Sequence, residues 1–308
     1  MFSRPWLRAS LFVAAIVGLI AYAWLNPEVV RRSLAFGWGN VAILAASYAI
    51  AQGLNAWILK AGLEPPYRGI AWADAAGINM TSSLAGYLTP FRLGGMGSRL
   101  MILRLKYGVA PAYAIGQFLL VTLLTIGLSA IFFVVCVALH GGEMLTRYRA
   151  PMWLMAAVGL GVAVACAGLA HPRSYELLRS RLPQALLGVH EAMARPWRSQ
   201  ARILALLAAS FVLQVLQTQW LLHAVGLRGD WVFSILVCAL ANLMLVLTVT
   251  PANLGVKEAL LGSLAFAFSV DEKAFVGALL VDRFVQLSVL ALGTAAYGWC
   301  MGRRPDKA

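Results

Sequence analysis

Thr250-Pro251-Ala252-Asn253-Leu254-Gly255-Val256-Lys257-Glu258 is the stretch whose reading decides the fold. A strongly apolar segment, Trp231 to Val249, leads into it, and a short apolar run and then a long one, Ala274 to Met301, follow. Proline has no N–H to donate and glycine accepts positive φ, so Pro251 and Gly255 break the backbone. Lys257 and Glu258 then place two charges beside the break, where the flanking sequence reads as lipid-buried. Broken backbone at membrane depth is tolerated only when it is covered by protein or lines a wet cavity. The stretch is expected to form part of a site inside a helical membrane protein.

Composition points the same way. Of 308 residues, 61% are hydrophobic and 12% charged, with a mean hydropathy of +0.78. A soluble domain carries about 25% charged residues. Several runs reach the ~20 apolar residues that cross a ~30 Å hydrocarbon core. The alternating segments of a β-barrel, about 10 residues each, are absent. The expected class is all-α: one polytopic integral membrane domain over 1–308, with about seven or eight segments of which two are broken or re-entrant. The net charge of +13 sits between apolar runs, as topology signals and anionic-lipid contacts do, so nucleic acid is not the expected partner. Cys136, Cys166, Cys238 and Cys300 lie in apolar segments without a short-spaced pair and read as packing residues. His140, His171, His190 and His223 are far apart in sequence. No metal site and no cofactor is expected.

In chain order, Arg4 and Arg8 precede an apolar run from Ala9 to Leu25. It resembles a signal peptide, with Ala21-Tyr22-Ala23 as a small-x-small site, but it is read as an uncleaved first span because it continues to Leu25 and more spans follow. The second segment is Trp38 to Leu59. The third, Ile70 to Leu88, carries Asp74, Asn79, Thr81, Ser82 and Ser83, so it is expected among other helices or along a cavity. Segments four, five and six are Ala112–Leu139, Met152–Ala170 and Arg202–Val225, the last with Gln214, Gln217 and Gln219 near its middle. Between Pro172 and Gln200 the chain turns basic. Leu178, Leu182, Ala185, Leu186, Val189, Met193 and Trp197 recur there at helical spacing, which suits an interfacial amphipathic helix over 172–200 or a hairpin between spans. Asp230 is a helix cap for the seventh segment, a short helix follows from Lys257 to Phe268, and Asp271, Glu272 and Lys273 open the last span.

A second break precedes segment four: Thr89-Pro90-Phe91-Arg92-Leu93-Gly94-Gly95-Met96-Gly97-Ser98-Arg99. It is not a phosphate-binding P-loop, since no strand precedes it and the Walker pattern is missing. Thr89-Pro90 with Leu93-Gly94 echoes Thr250-Pro251 with Leu254-Gly255 at the same internal spacing. Paired interrupted segments in two parts of a chain point to a transporter binding site. If the first break is re-entrant and both termini are cytoplasmic, 17 Lys and Arg fall inside and five outside, with Lys257, Lys273 and Arg283 unassigned. The expected location is the cytoplasmic (inner) membrane, multi-pass, with both termini cytoplasmic.

Charges inside apolar runs narrow the site. One charge at the bilayer centre costs roughly 2.5–3.5 kcal/mol on the insertion scale. Asp282 and Arg283 interrupt the last span, and the consecutive Lys257 and Glu258 point in directions about 100° apart, so they cannot neutralise one another well. Cross-helix pairing is expected, such as Glu258 with Arg283 or Lys257 with Asp282. Arg92 and Arg99 then remain as positive charge for an anionic headgroup. The candidate substrate-binding set is Arg92, Arg99, Lys257, Glu258, Asp282, Arg283 and Asp74, with Pro90, Gly94, Pro251 and Gly255 as the structural breaks. The alternative is that these charges are structural staples or snorkel to the interface, the reading preferred for Arg104, Lys106 and Lys273.

At these two motifs the sequence resembles the flippase-like integral membrane domain found at the N-terminus of lysylphosphatidylglycerol synthases (multiple peptide resistance factors) and in stand-alone bacterial and archaeal proteins. The matching residues are Pro90, Arg92, Leu93 and Gly94, then Pro251, Leu254, Gly255, Val256, Lys257, Glu258 and Ala259, and later Arg283. The family commonly has Pro-Gly-Gly-Leu-Gly-Val-Arg-Glu at the second place, and Asn253 and Lys257 are among the departures from it. Lysine keeps the charge but loses the two-pronged geometry for phosphate. At the first place the family often has an acidic residue where Gly95 stands and a basic one just before Arg99. The resemblance implies translocation of a phosphate-bearing or polyprenyl-linked lipid, bacterial context, and anionic lipids as partners. No aminoacyl-transfer domain is seen before Ala308, so synthase activity would require a separate protein.

Three functions compete. A lipid flippase or carrier would use the two breaks as a charged central cavity. With no ATP-binding motif, movement would be passive or ion-coupled, with Asp74 or Glu258 as proton carriers. An accessory membrane subunit of a lipid- or glycan-modifying complex would use the basic 172–200 region for docking. A headgroup transferase would need a positioned base or clustered carboxylates, and 12 acidic residues with no such cluster give it little support. No catalytic residue is assigned and no enzymatic activity is expected.

Overall fold

The protein, as a computed structural model, is described for residues 36–64, 67, 69–89, 93–171, 184–193, 196–227, 229–245, 253 and 255–302. The described residues form helices and no strand. The first apolar segment, Pro90, Arg92, Pro251 and residues 172–183 lie outside the described residues.

The helices are α1 Trp38–Leu63, α2 Trp72–Leu88, α3 Leu93–Tyr107, α4 Pro111–His140, α5 Gly142–Arg147, α6 Arg149–Ala170, α7 Gln184–Met193, α8 Trp197–Ala224, α9 Trp231–Leu243, α10 Val256–Ala267 and α11 Glu272–Gly302. Five of them, α1, α4, α6, α8 and α11, are long and apolar enough to cross a membrane. The chain is an all-α, multi-pass membrane protein. Local chemistry explains several boundaries. Pro111 opens α4, where its missing N–H costs nothing. Asp230 caps α9 by accepting the Phe233 N–H at 2.5 Å, and Asp271 does the same for Ala274 at 3.0 Å at the start of α11.

The two breaks make two helical hairpins. Helices α2 and α3, with 17 and 15 residues, run antiparallel. Gly95 near the start of α3 lies against Ser82 and Gly86, Arg99 reaches Asn79, and Tyr107 at the end of α3 reaches Asp74 at the start of α2. A Cβ on Gly95 would sit 2.5 Å from the Ser82 carbonyl oxygen, so only glycine lets the helices close at this turn. Helices α9 and α10, with 13 and 12 residues, share one apolar cluster in which Phe233 at the start of α9 stands 6.0 Å from Phe268, just past α10.

The hairpins open at opposite ends of the molecule. The base of α2–α3 lies beside the start of α4, where Tyr67 accepts the Ala110 N–H at 3.1 Å. The base of α9–α10 lies where α4 ends and α5 meets α6. There Tyr148 donates to both Asp230 oxygens at 3.0 Å and stacks on Phe268 at 4.6 Å, while Arg147 donates to the Phe268 carbonyl at 2.8 Å. Burial, and then the Asp230 carboxylate, push the Tyr148 hydroxyl up from its ordinary value, so it stays a donor across the physiological range.

Of the basic 172–200 stretch, α7 packs on α4. A Cβ on Gly188 would lie 2.1 Å from the Ala112 carbonyl oxygen, and Val189 and Ala192 are fully buried. Gly188→Val is expected to destabilise the protein by at least about 2 kcal/mol, because it drives one backbone off another. Thermal unfolding in detergent checks this. Gly168→Val, at a glycine with open space around it, serves as the control and should unfold close to wild type.

Candidate functional site

The tip of the α2–α3 hairpin and the end of α9 converge on a cavity of about 300 Å³. Gly86, Tyr87, Gly95 and Met96 flank the first break, Asn242 and Leu245 precede the second, and all six line the cavity. The rest of the wall comes from further along α2 and α3 and from α1, α4, α8 and α11. Seven of the lining residues carry amide side chains: Gln52, Asn55, Asn79, Gln117, Gln214, Asn242 and Gln286. Among the described lining residues Arg99 is the one charged side chain.

Arg99 is aimed by its neighbours. Its Nη2 donates to Asn79 Oδ1 at 2.9 Å and to Ser82 Oγ at 3.3 Å, and the guanidinium lies 5.4 Å from the Phe118 ring centroid. Asn79 is itself fixed, because its Nδ2 donates to Gln52 Oε1 at 2.7 Å. The relay Gln52–Asn79–Arg99 crosses α1, α2 and α3 and leaves Nη1 without a partner among the described residues. No described carboxylate pairs with Arg99. A cation at this depth without a counter-ion costs free energy unless an anion joins it. The remaining polar wall is ordered in part. Tyr87 donates to Gln286 at 2.6 Å and Asn242 to Gln214 at 3.3 Å, whereas Asn55 and Ser83 make no hydrogen bond with a described residue.

The other sequence candidates fall in separate places. Glu258 and Arg283 meet, as expected of a buried cross-helix pair, with Oε1 2.9 Å from Nη2 and both residues 7% exposed. The contact is ionic, with the N–H not aligned on the oxygen as a hydrogen bond, and Arg283 Nη1 has no partner among the described residues. The second Glu258 oxygen accepts the Gly255 N–H at 2.9 Å and so seals the start of α10. Asp282 accepts a hydrogen bond from Tyr48 at 2.6 Å. Lys257 attracts Asp282 electrostatically but makes no ion pair within 4.0 Å among the described residues. Asp74 lies at the base of the first hairpin, 3.0 Å from Lys106 Nζ and 2.6 Å from the Tyr107 hydroxyl. None of these five lines the cavity. Arg99 does, and Arg92 lies outside the described residues. The breaks behave as glycine chemistry dictates: Gly94 donates its N–H to Thr89 Oγ1 at 2.9 Å, and Gly255 takes φ +80°.

Asn253 explains one departure from the family pattern. It takes φ +54°, where glycine is at home and asparagine is the next residue to be tolerated, and its Nδ2 donates to the Met244 carbonyl at 3.0 Å across the break.

The amides are what sequence reasoning missed. Gln52 and Asn55 share one apolar run and Gln117, Asn242 and Gln286 stand in three others, and only their recurrence across four apolar helices was a signal.

The family model described as Lysylphosphatidylglycerol synthase TM region matches residues 7–293. No curated protein and no solved structure matches the chain.

Proposed function

The chain belongs to the family of lysylphosphatidylglycerol synthase TM regions, and from that membership we propose that it translocates a phosphate-bearing or polyprenyl-linked lipid across the cytoplasmic membrane as a flippase or carrier, without covalent chemistry. The observation that carries this reading is Arg99: a cation held by a side-chain relay at the wall of a polar cavity, with no described carboxylate to neutralise it. An anionic headgroup would supply the missing charge. Two short hairpins that open at opposite ends, the first reaching that cavity at its tip and the second through the end of α9, suit an alternating-access carrier in which each hairpin gates one side. With the first break re-entrant, the 17-to-five excess of Lys and Arg supports cytoplasmic termini.

The test is transbilayer movement in proteoliposomes. Phosphatidylglycerol labelled on an acyl chain is quenched from outside with dithionite. Wild-type protein should carry quenching past the half-way plateau that protein-free liposomes show. A wild type that leaves every anionic lipid tested at that plateau would sink the carrier reading.

A further inference from the structure

Resting on the reading that this cavity holds a lipid headgroup, we infer that the headgroup is an uncharged, hydroxyl-rich group (a glycerol, polyol or sugar) on a single phosphate, and that it bears no added amine. The first reason is charge. A phosphodiester brings one negative charge and Arg99 supplies one positive charge. An aminoacylated headgroup would add ammonium groups, and the described wall offers them no carboxylate. In a low-dielectric cavity an unmatched cation beside a guanidinium is repelled and keeps none of its hydration.

The second reason is hydrogen-bond type. Phosphate oxygens only accept, so a wall built for phosphate alone would be rich in donors. Amides carry a donor and an acceptor on each side chain, and hydroxyl groups of a ligand do the same. Seven amides around one cation match a ligand with many hydroxyls and one phosphate. Part of that capacity is spare. The Gln52–Asn79–Arg99 relay spends its linking atoms on itself, but Asn55 and Ser83 make no hydrogen bond with a described residue, and both line the cavity. An apolar headgroup would leave this wall unmatched, at the cost of burying polar groups.

The experiment is competition in detergent solution between lipids of identical acyl chains. The lipids are phosphatidylglycerol, phosphatidic acid and lysylphosphatidylglycerol, each displacing fluorescent phosphatidylglycerol from the wild-type protein. Phosphatidylglycerol is expected to bind at least about fivefold more tightly than either rival, the size of one net hydrogen bond. Asn55→Leu should bring phosphatidylglycerol toward phosphatidic acid and leave phosphatidic acid unchanged. Gln214→Glu, which adds a carboxylate to the wall, should improve lysylphosphatidylglycerol relative to phosphatidylglycerol. Soluble glycerophosphoglycerol should not displace the lipid at equal concentration. Displacement would keep the polyol-phosphate chemistry and overturn the lipid cargo. Wild-type preference for lysylphosphatidylglycerol or phosphatidic acid, with binding lost in Arg99→Gln, would overturn the inference alone. Binding of all three lipids unchanged in Arg99→Gln would remove the cavity reading beneath it.

Discussion

Truncating Glu258 to alanine is expected to destabilise the protein by about 3–5 kcal/mol, because it leaves Arg283 buried, charged and without its partner. Arg283 is 7% exposed and its Nη1 already lacks a partner among the described residues, while the adjacent Asp282 attracts it but makes no ion pair with it and is hydrogen-bonded to Tyr48. The same truncation frees the Gly255 N–H at the start of α10. Arg283→Ala should be nearly as damaging, since it strands Glu258. The double replacement Glu258→Leu with Arg283→Met removes both charges together and should unfold within about 1 kcal/mol of wild type, the usual result when a buried pair gives way to apolar residues of similar volume. Thermal unfolding in detergent, with monodispersity as a second readout, distinguishes the three. Neither residue lines the cavity, so the folded double variant should keep its lipid. A well-folded Glu258→Ala protein would show that the pair carries little stability.

Arg99→Gln is expected to act in the opposite sense, with small loss of stability and large loss of ligand. No described carboxylate pairs with Arg99, so removing the charge strands no counter-charge, and Asn79 keeps its hydrogen bond to Gln52. The cost to folding should stay near one or two ordinary hydrogen bonds, about 1–2 kcal/mol. Affinity for an anionic headgroup should fall at least tenfold, a charge-assisted hydrogen bond being worth about 1.5–3 kcal/mol. Arg99→Lys should recover part of this, because the charge returns without the planar fork. Equilibrium binding of fluorescent phosphatidylglycerol, set beside thermal unfolding, separates the two effects.

The helices and the two breaks were legible in sequence because each is local. Apolar runs set the spans, Asp230 and Asp271 mark helix starts, and Thr-Pro with Leu-Gly marks both breaks. The Glu258–Arg283 pair was legible too, since two charges at membrane depth have few ways to be neutralised. The cavity was not. It is assembled from two amides on α1 and one each on α2, α4, α8, α9 and α11, separated by up to 234 positions between Gln52 and Gln286, and each one alone looks like a tolerated polar residue. Segment six shows how little the residue type says. Gln214 lines the cavity, Gln217 donates to Ser47 on α1 at 2.8 Å, and Gln219 accepts from Ser234 on α9 at 2.5 Å. Three glutamines near one another in sequence serve three different contacts. Arg99 was named among the candidates, but its distinction from Lys257, Asp282 and Arg283 depends on which helix faces which, and periodicity does not supply that.

The central claim is that Arg99 holds an anionic headgroup in the cavity between the hairpins. Native mass spectrometry of the protein purified with its own membrane lipids tests it most directly, comparing wild type, Arg99→Gln and the Glu258→Leu, Arg283→Met double variant. Wild type and the double variant should both retain one phosphate-bearing lipid class, and folded Arg99→Gln should lose it. Retention of that lipid by folded Arg99→Gln, or the same nonspecific mixture on all three proteins, would contradict the claim.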